Sequence, residues 1–148
     1  ALPAAAVLSY TGEGMPLIYN GQEAGNPKRL AFFEKDPIVW RDHPMAKLYA
    51  DLARMRKANP ALWNSEWGAR MIKVPNSAPD AVLSFVRQNA RNKVFTVINF
   101  SPKAQNVRFD EALHHGDYKE FFSGTQMRFP LAKELSLPAW SYRIYTGK

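Results

Sequence analysis

The hydrophobic period changes near Pro60, and that change limits the folds open to this chain. Before it, Met15 to Tyr19 is a short continuous apolar run, the pattern of a strand covered on both faces. Ala4 to Tyr10 resembles the end of a helix, Thr11 to Gly14 a turn, and Asn20 to Arg41 a long loop broken at Asn26-Pro27 and Asp36-Pro37. A helix then begins with Asp42 as its expected N-cap and Pro44 in its first turn. Met45, Leu48, Tyr49, Leu52 and Met55 fall on one apolar face. Asn59-Pro60 ends it, because a proline disfavours helical geometry at the preceding residue. Arg54, Arg56 and Lys57 lie in the last turn, where cations complement the helix dipole.

After Pro60 the chain reads as short strands separated by turn residues. The expected strands are Arg70 to Val74, Val82 to Gln88, Val94 to Phe100, Asn106 to Phe109, Tyr118 to Phe122, Glu134 to Leu137 and Ser141 to Tyr145. Pro75-Asn76-Ser77, Asn89 to Asn92, Ser101-Pro102, His115-Gly116-Asp117, Ser123-Gly124 and Pro138 punctuate them, as in a small antiparallel sandwich or barrel. In the last strand Trp140, Tyr142 and Ile144 are expected on one face, with Trp140 inward. A lone βα unit cannot bury a two-sided strand, so the first part reads as a fragment of something larger. A start without Met or a basic leader agrees with an interior piece of a longer chain.

Gross properties remove several functions. No cysteine is present, which excludes disulfides and thiolate chemistry. No apolar run approaches the ~20 residues of a membrane helix, so no membrane partner is expected. The net charge is +7, but no run of Lys and Arg exceeds two residues. That is a solvated basic surface, with no nucleic-acid partner expected. Compartment is left open.

Four stretches then resemble, in order, the end of enzymes of the α-amylase family of glycoside hydrolases. GMPLIYNGQEAG is similar to the eighth barrel strand and the loop after it, through Gly14, Met15, Pro16, Leu17, Ile18, Tyr19, Gly21, Gln22, Glu23 and Gly25. Tyr49, Leu52, Met55, Arg56, Asn59, Pro60, Ala61 and Leu62 carry the cadence of the eighth barrel helix. VLSFVRQNARNKVFTVINFSP resembles the first hairpin of the C-terminal β-sandwich, and LPAWSYRIYTGK its closing strand.

The resemblance implies an α/β fragment, the final βα unit of a TIM barrel, followed by an all-β antiparallel sandwich. Residues 1–62 would be the C-terminal fragment of the (β/α)8 catalytic barrel and residues 63–148 the β-sandwich domain. It implies a parent that is a retaining glycosidase acting on α-linked glucans, with α-glucan or maltooligosaccharide and the missing N-terminal part of the enzyme as partners. Retention needs two carboxyl groups about 5–5.5 Å apart. The family's catalytic acids precede the matching part, so no catalytic residue is expected here and the fragment alone should be inactive. Asn20, Gly21 and Gln22 are expected to line the substrate cleft, with Tyr19 beneath them and Glu23 in a structural hydrogen bond. No cofactor is expected, and no metal, because the family's calcium ligands mostly lie upstream.

His43 is expected to cap a helix, and His114-His115 to be solvated or locally hydrogen-bonded in a loop. Trp63 and Trp67 are expected to pack between the two parts. A non-catalytic carbohydrate-binding or scaffold module is the alternative, for which a surface glycan site on the β part would speak.

Overall fold

The computed structural model describes residues 1–131 and 134–148. Helix α1 (Leu2–Thr11) precedes a long connection to helix α2 (Pro44–Ala58). Two short 3-10 turns, Pro60–Leu62 and Ser65–Trp67, lead into β1 (Ile72–Lys73), β2 (Val82–Gln88), β3 (Lys93–Asn99) and β4 (Gln105–Arg108). Then come β5 (Gly116–Glu120), β6 (Gln126–Phe129), β7 (Glu134–Leu137) and β8 (Tyr142–Gly147). Six strands form an antiparallel sheet in the order β1-β2-β3-β8-β5-β6, and β4 pairs with β7 in a second sheet.

The large sheet is covered on both faces, so every residue of β3 is buried. Alternation along the strand sorts its side chains between two cores. Val94 and Ile98 of β3 and Ile144 of β8 join a cluster with Ala4, Val7 and Tyr10 of α1 and with Met45, Tyr49, Leu52 and Met55 of α2. Phe95, Val97 and Tyr145 point the other way, against Val107, Leu135 and Leu137 of the small sheet, with Tyr118 and Phe129. Leu52 alone, fully buried, contributes about 2 kcal/mol of transfer free energy. Asn99 ties the layers at the end of β3: its amide donates to the carbonyls of Lys103, Leu137 and Pro138 and accepts from the Ser101 amide.

Two buried arginines join the helical layer to the sheet. Arg87, on β2 and 2% exposed, donates to the carbonyls of Ala69 (2.7 Å), Gly12 (2.6 Å), Leu62 (3.1 Å) and Trp63 (2.7 Å). Arg56 of α2 donates to the carbonyls of Tyr10 (2.8 Å) and Gly14 (2.7 Å) and to Asn64 Oδ1. Burial, with Arg56 close by, pushes the Arg87 guanidinium down to about 10, which still leaves it charged near neutrality.

Several expectations are corrected. Met15 to Tyr19 forms no strand; Met15 and Leu17 are 83% and 76% exposed. A two-sided strand needs ladder partners, and the described residues place none beside it. His43, not Asp42, caps α2: Pro44 is in the first helical turn, which forces its predecessor to extended geometry (φ −146°, ψ 142°), and His43 Nδ1 accepts from the Met45 amide at 3.2 Å. Arg56 does lie in the last turn of α2, as expected, and is buried there.

Trp140 stands in a turn at φ +58°, 37% exposed, ahead of the strand it was expected to share. Trp67 is 70% exposed rather than packed between the two parts. Strand β6 was unforeseen, since Gln126-Met127-Arg128-Phe129 has a weak pattern and borders only one neighbour. His114 is not solvated: it is 2% exposed, among the rings of Phe95, Phe109 and Phe129, and its Nδ1 lacks a hydrogen-bond partner among the described residues.

Two consequences can be measured. Burial, aided by His115 and Lys93, pushes His114 down to about 4 from its ordinary 6.5. Between these values the unfolded chain binds a proton that the folded chain refuses. The stabilisation is therefore complete above pH 6.5 and is lost as pH falls to 4, by about 3 kcal/mol at most. Urea unfolding of a His114→Phe variant is expected to be flatter across that window than the parent chain; identical profiles would contradict the assignment. Separately, Arg87→Met strips buried carbonyls of their donor and is expected to cost about 3 kcal/mol or more in urea unfolding. A loss within experimental error would remove Arg87 from this role.

Candidate functional site

The loop from Tyr19 to Asn26 is closed by its own hydrogen bonds. Gln22 N donates to Tyr19 O at 3.0 Å, Gly25 N to Gln22 O at 3.0 Å, and Asn26 N to Gly21 O at 2.9 Å. The Gln22 side chain folds back, its Oε1 accepting from Tyr19 N at 2.9 Å and from the Tyr49 hydroxyl at 3.4 Å. Glu23 Oε2 accepts from Gly21 N at 3.0 Å, so this carboxylate is engaged in holding the turn.

Two glycines are required by this geometry. Gly21 and Gly25 have φ of +93° and +65°, a region costly for residues with a Cβ. A Cβ on Gly25 would also lie 2.5 Å from the His43 ring. The capping histidine of α2 thus occupies the space that Gly25 leaves. Arg41 completes the support: its Nε donates to Ala24 O at 3.0 Å and its Nη2 to Gly25 O at 2.8 Å. Tyr49, whose hydroxyl is pushed up by burial and then by Tyr10 and Glu23, fixes the loop to α2 from below.

Above the loop lies a cleft of about 450 Å³. Asn20 and Gln22 line it together with Tyr19, Asn26, Lys28 and Phe32. Of the three expected binding residues, Asn20 and Gln22 reach the cleft, whereas Gly21 is buried within the turn. Asn20 offers an amide with no hydrogen bond among the described residues, and Gln22 keeps its amide nitrogen as a donor. Asp36 is held below the usual carboxylate range, first by Lys28 and then by the Ala31 amide. The cleft therefore presents amide donors and acceptors, cations and an aromatic ring, the chemistry of hydroxyl binding. Its nearest carboxylates are occupied by structural bonds.

Sequence reasoning did not find the supports. Nothing in the spacing links Arg41 to a carbonyl 17 residues earlier, or Tyr49 to Gln22 across 27 residues. The one available signal was the pair of glycines flanking Gln22-Glu23-Ala24.

Residues 72–144 match the family model of the C-terminal domain of maltogenic amylases. Over 133 residues the chain is 25% identical to α-amylase 2 of Dictyoglomus thermophilum, covering 81% of this chain and 21% of that protein. It is 30% identical over 130 residues to the 1,4-α-glucan branching enzyme of Prochlorococcus marinus, covering 80% of this chain and 17% of the other. The chain thus spans about a fifth of the length of these relatives. The fold superposes on a maltogenic α-amylase of Thermotoga neapolitana with a TM-score of 0.80 and 20% identity, over 99% of this chain and 36% of that one.

Gly25→Ala tests the loop. Left-handed backbone and the His43 ring together are expected to lower stability by about 1–2 kcal/mol in urea unfolding. The amide resonances of Asn20 and Gln22 should move with it. Unchanged stability and unchanged resonances would show that the loop tolerates a Cβ.

Proposed function

The chain belongs to the α-amylase family, with residues 72–144 as its maltogenic amylase C-terminal domain, and on that premise we propose that it is the C-terminal portion of a retaining glycoside hydrolase acting on α-glucosidic linkages of starch-like glucans. In this reading residues 1–62 are the last βα unit of the catalytic barrel and residues 63–148 the β-sandwich domain. Asn20 and Gln22 form one wall of the glucan cleft, and Gly21 sets their positions from within the turn. The missing N-terminal part of the enzyme brings the catalytic carboxylates and lies against Met15 to Tyr19.

The observation that carries the reading is the braced loop that opens onto a polar and aromatic cleft directly after an exposed apolar segment. Leu17, Phe33, Val39 and Trp40 are 76%, 93%, 77% and 59% exposed. Apolar surface of that extent signals a partner surface. Covering it with neighbouring barrel strands would restore the two-sided burial that the Met15 to Tyr19 pattern requires. In the loop that borders the cleft, Glu23 is tied to Gly21 N and Asp36 to Lys28 and Ala31 N. Retaining hydrolysis needs two working carboxyls in a fixed pair, so this chain alone should not catalyse it.

The test is turnover. The purified chain, incubated with soluble starch or maltoheptaose, is expected to release no reducing sugar above buffer. In the longer parent enzyme, Asn20→Ala or Gln22→Ala is expected to raise KM for starch more than it lowers kcat. Steady hydrolysis by the chain alone would overturn the reading.

A further inference from the structure

Far from that loop in sequence, β8 and the turn between β5 and β6 enclose a second cleft, of about 820 Å³. We propose that it is a non-catalytic binding site for an α-glucan chain. This rests on the reading that the parent acts on α-glucans, and it adds a second place where the same polymer is held.

The first observation is an aromatic corner. Phe122 and Tyr142 line the cleft with ring centroids 5.5 Å apart and planes at 60°. Phe122 is 42% exposed, so its face is offered to solvent. Tyr142 is half-buried, braced against the helical core.

The second is a buried carboxylate with no cation bound to it. Glu120 is 6% exposed yet lines the cleft. Its Oε2 accepts from the Ser123 amide at 2.6 Å, and no described lysine or arginine lies within ion-pair distance. Its other oxygen makes no hydrogen bond among the described residues. Burying a charged group is costly unless polar partners replace water, so this carboxylate is suited to accept hydroxyls from an incoming ligand.

The third is the surrounding donor set. Arg143 lines the same cleft and uses one nitrogen, Nη1, on the Tyr142 carbonyl at 2.9 Å. The hydroxyls of Ser123 and Ser141 also border it. One acceptor carboxylate, one guanidinium donor and hydroxyls around an aromatic face suit an uncharged ligand having both apolar faces and many hydroxyls. A pyranose ring is such a ligand. Glu120 and Arg143 offset one another, so the lining carries no formal net charge. The cleft falls within the ~300–1,000 Å³ range of small-ligand sites.

The turn that presents these groups is set before any ligand arrives. Glu120 N donates to Thr125 O at 2.8 Å, Gly124 N to Glu120 O at 2.9 Å and Phe121 N to Ile144 O at 2.8 Å. Little ordering cost therefore falls on binding.

The test is an amide-resonance titration of the whole chain with maltoheptaose. Shifts at Ser123 and Ser141 are expected. Phe122→Ala, an exposed position whose loss spares the core, and Glu120→Gln, which keeps the acceptor for Ser123 N, are each expected to weaken the affinity at least tenfold. That corresponds to about 1.4 kcal/mol. Thermal unfolding of both variants should match the parent chain. Shifts confined to Asn20 and Gln22 would overturn this inference while leaving the glucan reading standing. Shifts at Ser123 and Ser141 that survive both substitutions, or no shift at all, would also overturn it.

Discussion

The position of everything on the helical side depends on two guanidinium groups that share the turn after α1. Arg87 reaches it from the sheet and Arg56 from α2, and both donate to Gly12 O, at 2.6 and 3.5 Å. Buried charges of this kind are tolerated only when their donors are satisfied. Here backbone carbonyls supply the partners instead of carboxylates, so the bonds bind particular points of the chain to one another. Arg87 collects Gly12, Leu62, Trp63 and Ala69, four points that the sequence scatters over nearly sixty residues. The direction in which Gly14 and Met15 leave the core is set by that node.

Apolar packing then works around the node. Because β3 is buried on both faces, the large sheet needs a cover on each side, and two strands supply only one. The helices supply the other. α1 and α2 are therefore part of the packed unit rather than an appendage to it, and Tyr49 is at once a core residue and the support of the loop. This couples the two candidate sites to a common interior: the Asn20–Gln22 wall rests on α2, and Tyr142 of the second cleft packs against the same apolar cluster.

Both clefts use that rigidity in the same way. In the first, positive φ at Gly21 and Gly25 and the bonds from Arg41 hold a turn that has no regular secondary structure. In the second, backbone bonds between Glu120, Gly124 and Thr125 hold a tight reversal between strands. Each presents side chains able to exchange hydrogen bonds with hydroxyls beside an aromatic surface. A chain with two such places is suited to hold a long polymer at two points, which raises effective affinity without any new contact at either.

By itself the sequence determined the elements whose signal is local. The apolar face of α2, the stop at Asn59-Pro60 and the strands Val82 to Gln88 and Glu134 to Leu137 could be read directly, because helical period, proline geometry and strand patterning act within a few residues. The loop motif marked the first site for the same reason, since two glycines announce a backbone that other residues resist. Tertiary structure alone decided the rest. Met15 to Tyr19 had the pattern of a strand but no ladder partner in this chain, and a strand exists only as part of a sheet. His114 and Trp140 exchanged their expected places because burial is settled by what packs opposite, not by the residue's own neighbours in sequence. The roles of Arg87, Arg41 and Glu120 rest on contacts that folding creates, and no spacing along the chain encodes a hydrogen bond to a carbonyl that only the fold brings near.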